Sequence, residues 1–455
     1  MASDTDHTFD VIVIGLGPGG EHVAGSLAER GLRVLGVDRG LVGGECPYWG
    51  CIPSKMMIRA ANALAEGRRI GGLAGSVGEV TPDWSVVAKR IRVEATDNWD
   101  DRVAVDRLTG KGATFVRGAG RISGPGRVDV DGTAYTATRG IVVNTGTTAA
   151  IPPIEGLADT PYWTNHDIIE ATELPTSIVV LGGGAIGCEL SQVMARFGVK
   201  VTIVEVADRI LALEEPEASE KLTTALEADG ITVRHGVGAD RVSHDGSVFS
   251  VTLGDGSGLT AEKLLVATGR RADPAAVGLD AVGVARDART APVDDRCRVT
   301  DGVWAVGDIT GKGAFTHVSM YQAGVVIRDV LGDDGPPAEY AALPRVTFTD
   351  PEVGAVGMTE QQARETLANV RVGVTPLGET TRGWIAQADG LIKVVADADR
   401  GVLVGATTMG PAGGEVLGAL AVAVHGEVPI ERLRSMIYAY PTLHRGIEDA
   451  LGRLA

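Results

Sequence analysis

The run Asp10-Val11-Ile12-Val13-Ile14-Gly15-Leu16-Gly17-Pro18-Gly19-Gly20 decides how the chain is read. Its apolar, β-branched start predicts a short buried strand, and the G-x-G-x-x-G that follows (Gly15, Gly17, Gly20) opens a helical stretch to about Arg30. Val34 to Val37 then predicts a second strand, which ends on Asp38. The pattern recurs. Ser177-Ile178-Val179-Val180-Leu181 leads into Gly182-Gly183-Gly184-Ala185-Ile186-Gly187, a helix to about Phe197, and a strand Lys200 to Val204 ending on Glu205. In both copies the acid stands 23 residues after the first glycine. The first glycine makes the tight turn, the second lets backbone approach a pyrophosphate, and the third lets helix and strand pack closely. The carboxylate suits a ribose hydroxyl. One copy is weak evidence; two with the same spacing predict two dinucleotide sites.

Composition supports this reading. Glycine accounts for 63 of 455 residues, about twice the usual ~7%, yet 44% of the chain is hydrophobic and no Gly-X-Y period occurs, which excludes collagen and simple disorder. A net charge of −17 argues against a general nucleic-acid binder. The acidic start Met1-Ala2-Ser3-Asp4-Thr5-Asp6 lacks the basic and apolar regions of a secretory signal, and the apolar run Val416 to Val424 is too short to cross a bilayer. A cytoplasmic protein is therefore expected. Glu205 should favour NADH over NADPH, since a carboxylate repels a 2′-phosphate, although Arg209 stands nearby.

Further strands end in Asn144-Thr145-Gly146, in Ala267-Thr268-Gly269-Arg270 and in Gly307-Asp308. Past the linker Gly332-Asp333-Asp334-Gly335-Pro336-Pro337 the pattern changes to short strands (Val346 to Thr349, Leu391 to Val395, Leu403 to Thr408) and helices (Thr359 to Leu367, Gly414 to His425). The expected fold is α/β, with two interleaved Rossmann-like domains and a C-terminal α+β domain. Residues 1–150 with 271–340 form the first domain, 151–270 the second and 341–455 the third.

Cys46 and Cys51 lie in Gly43-Gly44-Glu45-Cys46-Pro47-Tyr48-Trp49-Gly50-Cys51-Ile52-Pro53-Ser54-Lys55. The spacing permits a local disulfide, and a helix beginning near Cys51 would favour a thiolate there. Spacing alone leaves a redox pair and two ordinary reduced cysteines both open. A zinc site would need more ligands, and neither Cys188 nor Cys297 has partners at finger-like spacing. These two read as buried small residues.

Gly-Gly-x-Cys-x-x-x-Gly-Cys-Ile-Pro-Ser-Lys resembles the signature of the class I flavin-dependent pyridine nucleotide-disulphide oxidoreductases, which include lipoamide dehydrogenase, glutathione reductase and mercuric reductase. The resemblance runs through Ala305-Val306-Gly307-Asp308, Phe348-Thr349-Asp350-Pro351-Glu352 and Pro441-Thr442-Leu443, nearly the whole chain. It implies an enzyme that is a homodimer. FAD would be held by Gly15, Gly17, Gly20 and Asp38, with Asp308 on its ribityl chain and His317 in a segment approaching the flavin. NAD(H), with NADP(H) less favoured, would lie on Gly182, Gly184, Gly187 and Glu205, and Thr145, Gly146, Gly269 and Arg270 would also be cofactor-binding. Cys51 would be the thiol facing the flavin and Cys46 the one attacking substrate. Lys55 would lie near the reactive flavin nitrogen, paired with Glu189.

The chain departs from the family at its end. The usual His-Pro-Thr-x-x-Glu is replaced by Tyr440-Pro441-Thr442-Leu443-His444-Arg445. A phenol is a poor proton acceptor near neutrality, which puts ordinary dihydrolipoamide oxidation in doubt. Three readings stay open: Tyr440 as proton donor, His444 as substitute imidazole, or an acceptor whose leaving group is acidic enough to need neither. Pro47-Tyr48-Trp49 is also unusual, and its aromatics either pack beneath the flavin domain or stack on a flat substrate. No metal is expected. The expected activity passes electrons from NAD(P)H, preferably NADH, through FAD and the Cys46–Cys51 pair to a small disulfide or other two-electron acceptor. An NADH:quinone-type reductase, a dihydrolipoyl dehydrogenase and a flavoprotein subunit with a vestigial redox centre are the alternatives.

Overall fold

The computed structural model describes residues 7–454. The acidic start read above for its lack of a secretory signal lies at residues 1–6, outside the described residues. The chain divides into two compact units. One comprises the chain up to Ser54, Ala88–Ala150 and Arg270–Glu339; the other comprises Lys55–Val87, Ile151–Gly269 and the chain from Tyr340 onward.

The first unit is built on a sheet ordered Arg298–Thr300, Val303–Ala305, Thr133–Val143, Thr8–Ile14, Val34–Asp38 and Thr114–Arg117. Its central pairs are parallel: Val11 lies opposite Val34 on one side, and Ile12 opposite Ile141 on the other. Parallel strands joined through helices are covered on both faces, so they read as unbroken apolar runs. Val11, Val13 and Val142 pack against Val23, Leu27 and Val326 on one face. Ile12, Ile14 and Ile141 pack against Val128, Val130 and Leu279 on the other. The helix Pro18–Glu29 follows the first glycine turn. Strands Gly120–Gly124 and Arg127–Val130 form an antiparallel extension that the sequence reading did not separate.

The second unit repeats the strand–turn–helix–strand design. Its parallel sheet is ordered Thr232–Arg234, Lys200–Val204, Ser177–Leu181 and Lys263–Val266, with helix Ala185–Arg196 after the glycine turn. A three-stranded antiparallel sheet (Ala239–His244, Phe249–Leu253, Gly258–Ala261) belongs to the same unit. A five-stranded antiparallel sheet ordered Pro344–Thr347, Glu352–Gly357, Val402–Gly410, Leu391–Asp397 and Val370–Pro376 carries the C-terminal part. Helix Gly413–His425 packs on it through Leu417 and Leu420. The expected α/β class with an α+β C-terminal part is the observed one.

Within the second unit, Lys393 on the buried strand Leu391–Asp397 has a side chain only 2% exposed. Its ammonium meets Glu215 at 2.9 Å, Glu217 at 2.8 Å and Glu360 at 2.9 Å. Glu217 and Glu360 stand in the first turns of helices Pro216–Ala228 and Glu360–Thr366, where helix dipoles favour negative charge. Lys393 Nζ, by hydrogen bonding, holds the Glu360 carboxyl below its ordinary range. Lys393→Ala strands the buried Glu215 carboxylate, so urea unfolding at neutral pH should show a loss of about 3 kcal/mol. A carboxyl with a depressed folded-state pKa contributes stability above its unfolded pKa and loses it in acid, so the deficit should shrink toward about pH 4.

Candidate active site

The two glycine turns are built alike. Gly15 has φ +90° and Gly182 φ +107°, a left-handed region that glycine enters without strain. A Cβ on Gly15 would strike the Asn144 carbonyl, and one on Gly182 the Ala267 carbonyl. The acid that closes each second strand grips its turn. Asp38 accepts from Leu16 N at 2.6 Å and Gly40 N at 2.7 Å. Glu205 accepts from Gly183 N at 2.6 Å and Ala207 N at 2.8 Å. Neither helix start carries a side-chain cap, so first-turn N–H groups remain for an anionic ligand. Gly184 has open space where a Cβ would stand, and Gly20 and Gly187 would drive a Cβ into the carbonyls of Gly15 and Gly182. This donor set fits a pyrophosphate at each turn.

The cysteine loop hangs from the first turn. Gly43 N donates to Leu16 O at 2.7 Å, and Val42 N to the Asp101 carboxylate at 2.7 Å. Cys46 lies in the short helix Glu45–Trp49, and Cys51 is the first residue of helix Cys51–Arg69. Cys46 is hydrogen-bonded to Cys51, and this bond, then burial, pushes its thiol well above the ordinary range. Cys51 Sγ lies 3.3 Å from Thr316 Oγ1, the first residue of helix Thr316–Leu331. His317 follows, exposed, its ring stacked on Phe315 at 5.1 Å. Tyr48 is buried and donates to Val42 O at 3.2 Å, a packing role, while Trp49 is half-buried.

Thr147, which had no expected role, ties several expected residues together. Its hydroxyl donates to Asp308 at 2.9 Å and accepts from Arg270 Nε at 2.8 Å. Arg270 also bonds Thr147 O at 2.7 Å and lies 3.6 Å from the Glu45 carboxylate, next to Cys46. Burial raises the Asp308 carboxyl, against the pull of Thr147 and Arg270. Thr145 and Gly146, the latter at φ +65°, follow strand Thr133–Val143, and Gly269 at φ +111° precedes Arg270.

In the second unit Lys55 and Glu189 meet as expected, with Lys55 Nζ 2.9 Å from Glu189 Oε2. Sequence reading missed the rest of this helix face. Glu189, Gln192 and Arg196 recur at i, i+3 and i+7, and each holds the segment Phe348–Asp350. Glu189 Oε1 accepts from Phe348 N at 2.8 Å, and Gln192 exchanges bonds of 2.7 and 2.8 Å with the Asp350 backbone. Arg196, 1% exposed, donates to Asp350 at 2.8 Å, Asp229 at 2.9 Å and Asn62 at 2.6 Å. Helical spacing was the available signal; the partners in Phe348–Asp350, more than 150 residues away, were not. Tyr440 is 66% exposed, and its hydroxyl lies 3.2 Å from Thr381 Oγ1. Arg445 stands 5.4 Å over its ring and pairs with Glu448 at 2.9 Å, and the His444 ring lies 6.1 Å from that of Tyr438.

Two dinucleotide turns and a dithiol at the start of a helix are the equipment of an oxidoreductase that moves electron pairs between nucleotide cofactors and thiols. The chain belongs to the pyridine nucleotide-disulphide oxidoreductases: that family's model matches residues 9–323, and the model of its dimerisation domain matches residues 343–451. Mercuric reductase of Bacillus cereus is 31% identical over 459 residues, covering 99% of this chain and 72% of the relative. Dihydrolipoyl dehydrogenase of Chlorobaculum tepidum is 33% identical over 456 residues, covering 97% and 96%. Among solved structures, the HOCl-induced flavoprotein disulfide reductase RclA from Escherichia coli aligns with a TM-score of 0.85 at 27% identity, covering 97% of this chain and 99% of that one. LpdA from Mycobacterium tuberculosis aligns at 0.86 and 25% identity, covering 97% and 99%. The family is FAD-dependent and uses NAD(P)H. Among the described residues, no helix is long and apolar enough to cross a membrane.

Cys188 and Cys297 are 0% exposed, and burial pushes the Cys188 thiol up. Titration of the reduced native protein with an aromatic disulfide reagent should therefore find Cys46 and Cys51 only, and all four cysteines after denaturation. Rapid native reaction of a third thiol would contradict this burial.

Proposed function

We propose that the chain is a cytoplasmic, homodimeric, NADH-preferring disulfide reductase whose acceptor is a small disulfide or comparable two-electron acceptor. It works in three parts: residues 1–150 with 271–340 for FAD, 151–270 for the nicotinamide dinucleotide, and 341–455 for the dimer. The observation that carries the reading is the Cys46–Cys51 dithiol, mutually hydrogen-bonded and in contact with Thr316. FAD, when bound, supplies two-electron exchange between a nicotinamide and a dithiol. Gly15, Gly17, Gly20 and Asp38 hold it, with Asp308 on its ribityl chain and His317 in a segment near the flavin; Gly182, Gly184, Gly187 and Glu205 serve the nicotinamide dinucleotide; and Thr145, Gly146, Gly269 and Arg270 complete the cofactor-binding set.

The chain's own chemistry is thiol exchange. Cys46 attacks one sulfur of the acceptor as it gives up its thiol proton, and displaces the other sulfur, which leaves as a thiol once that proton reaches it. Cys51 then attacks Cys46 Sγ, which releases the second thiol and leaves the Cys46–Cys51 disulfide. Two electrons from NADH, with protons, restore the dithiol. The exposed Tyr440 phenol and the neighbouring Arg445 favour an acceptor whose departing group is already acidic, and Tyr440→Phe and His444→Ala should leave the pH profile of turnover in place.

Preference for NADH is supported by the Glu205 carboxylate and by Arg209, whose Nη2 is turned to the carbonyls of Ala212 (2.9 Å) and Glu214 (3.2 Å). The kcat/KM for NADH should exceed that for NADPH by about tenfold or more; equality or reversal counts against the assignment. Cys46→Ser should abolish turnover of disulfides such as aromatic or low-molecular-weight thiol disulfides. If all acceptors, quinones included, are reduced as before, the cysteine pair is secondary and the enzyme is of the quinone-reducing type.

A further inference from the structure

Lys55 is held on two sides, by the Glu189 carboxylate and by the Phe348 ring. Its ammonium pairs with Glu189 Oε2 at 2.9 Å and also sits 4.6 Å from the centroid of the Phe348 ring. That distance lies within the reach of a cation–π attraction. The backbone N–H of Phe348 fixes the other oxygen of the same carboxylate at 2.8 Å. Phe348 therefore acts twice, once through its ring on the cation and once through its backbone on the anion. Its own segment is anchored two residues on at Asp350, which Gln192 holds through N–H and carbonyl and which Arg196 and Arg69 hold through the carboxylate.

The logic concerns a partly exposed lysine. Lys55 keeps 37% of its side chain in contact with solvent, whereas Glu189 keeps only 7%. One ion pair restrains a flexible four-carbon stem in distance but not in direction. A ring face on a second side adds a restraint in direction. Glu189 in turn has both oxygens occupied, so it cannot rotate away with the ammonium.

We propose that Phe348 is a positioning residue for Lys55, fixing where the lysine charge stands during electron transfer. This rests on the reading that Lys55 lies beside the flavin. A cation held there favours the anionic reduced flavin, so its loss or wandering lowers the flavin midpoint potential. Only the ring is at issue in Phe348→Leu and Phe348→Met, because both keep the backbone N–H to Glu189.

The test uses FAD-loaded enzyme and four variants: Phe348→Leu, Phe348→Met, Phe348→Tyr and Lys55→Met. Flavin content and thermal midpoint are checked first. Anaerobic spectroelectrochemistry then gives the flavin midpoint potential, and stopped-flow mixing gives the rate of enzyme reduction by NADH. Phe348→Leu and Phe348→Met should shift the potential in the same negative direction as Lys55→Met, by a smaller amount. They should slow reduction by about 3- to 10-fold, with the KM for NADH unchanged, and Phe348→Tyr should restore both quantities. Wild-type potential and rate in Phe348→Leu and Phe348→Met, alongside a shifted Lys55→Met, would overturn the role of Phe348 and leave Lys55 in place. An unshifted Lys55→Met would overturn the reading of Lys55 itself, and the role of Phe348 with it. A Phe348→Tyr variant as impaired as Phe348→Leu would show that the ring acts by shape and would likewise overturn the proposal.

Discussion

The grip of one carboxylate on one glycine turn is the constraint from which the rest of each dinucleotide unit follows. Asp38 and Glu205 each close a strand and bind two backbone N–H groups, one inside the turn and one just beyond the acid. Strand, turn, helix and second strand are thereby locked into one register, and the helix start is left with N–H groups that no side chain caps. In the first unit the same turn also governs the cysteines, because Gly43 N returns to Leu16 O before the chain enters the redox loop. The dithiol takes its place from the nucleotide turn.

The second unit depends on a different solution to buried charge. Along helix Ala185–Arg196 a carboxylate, an amide and a guanidinium face one segment of the C-terminal part and satisfy it group by group. Removing charges from water is costly unless each is paired and hydrogen-bonded. Arg196 meets that condition with two carboxylates and an amide oxygen. Lys393 meets it with three glutamates at two helix starts. Such sites add little net stability over an apolar core, but they allow one arrangement and penalise its neighbours.

What was legible in the sequence was what repeats locally. Glycine spacing, the acid after the second strand and the unbroken apolar runs predicted both nucleotide folds, since each reports backbone geometry within about 25 residues. The Lys55–Glu189 pair was legible only because a family signature carried it. Pairings over long separations were not. Nothing near Phe348 announces a lysine almost 300 residues earlier, and nothing near Thr147 announces Asp308. Strands Gly120–Gly124 and Ala239–His244 were missed because each buries a single apolar side chain, Ile122 or Val242, too few to show a period. The grouping of 55–87 with the second unit was hidden for a related reason: helix Cys51–Arg69 runs without interruption past Ser54.

The complete burial of Cys188 and Cys297 has a practical meaning for anyone handling the molecule. With those two sulfurs shielded, everything a solution oxidant or a tagging reagent does to cysteine in the folded protein is done at a single loop. The polypeptide thus carries its own reporter: a fluorophore or mass label attached under native conditions reads out the state of the reactive loop against a silent background, and no cysteine need be engineered away first.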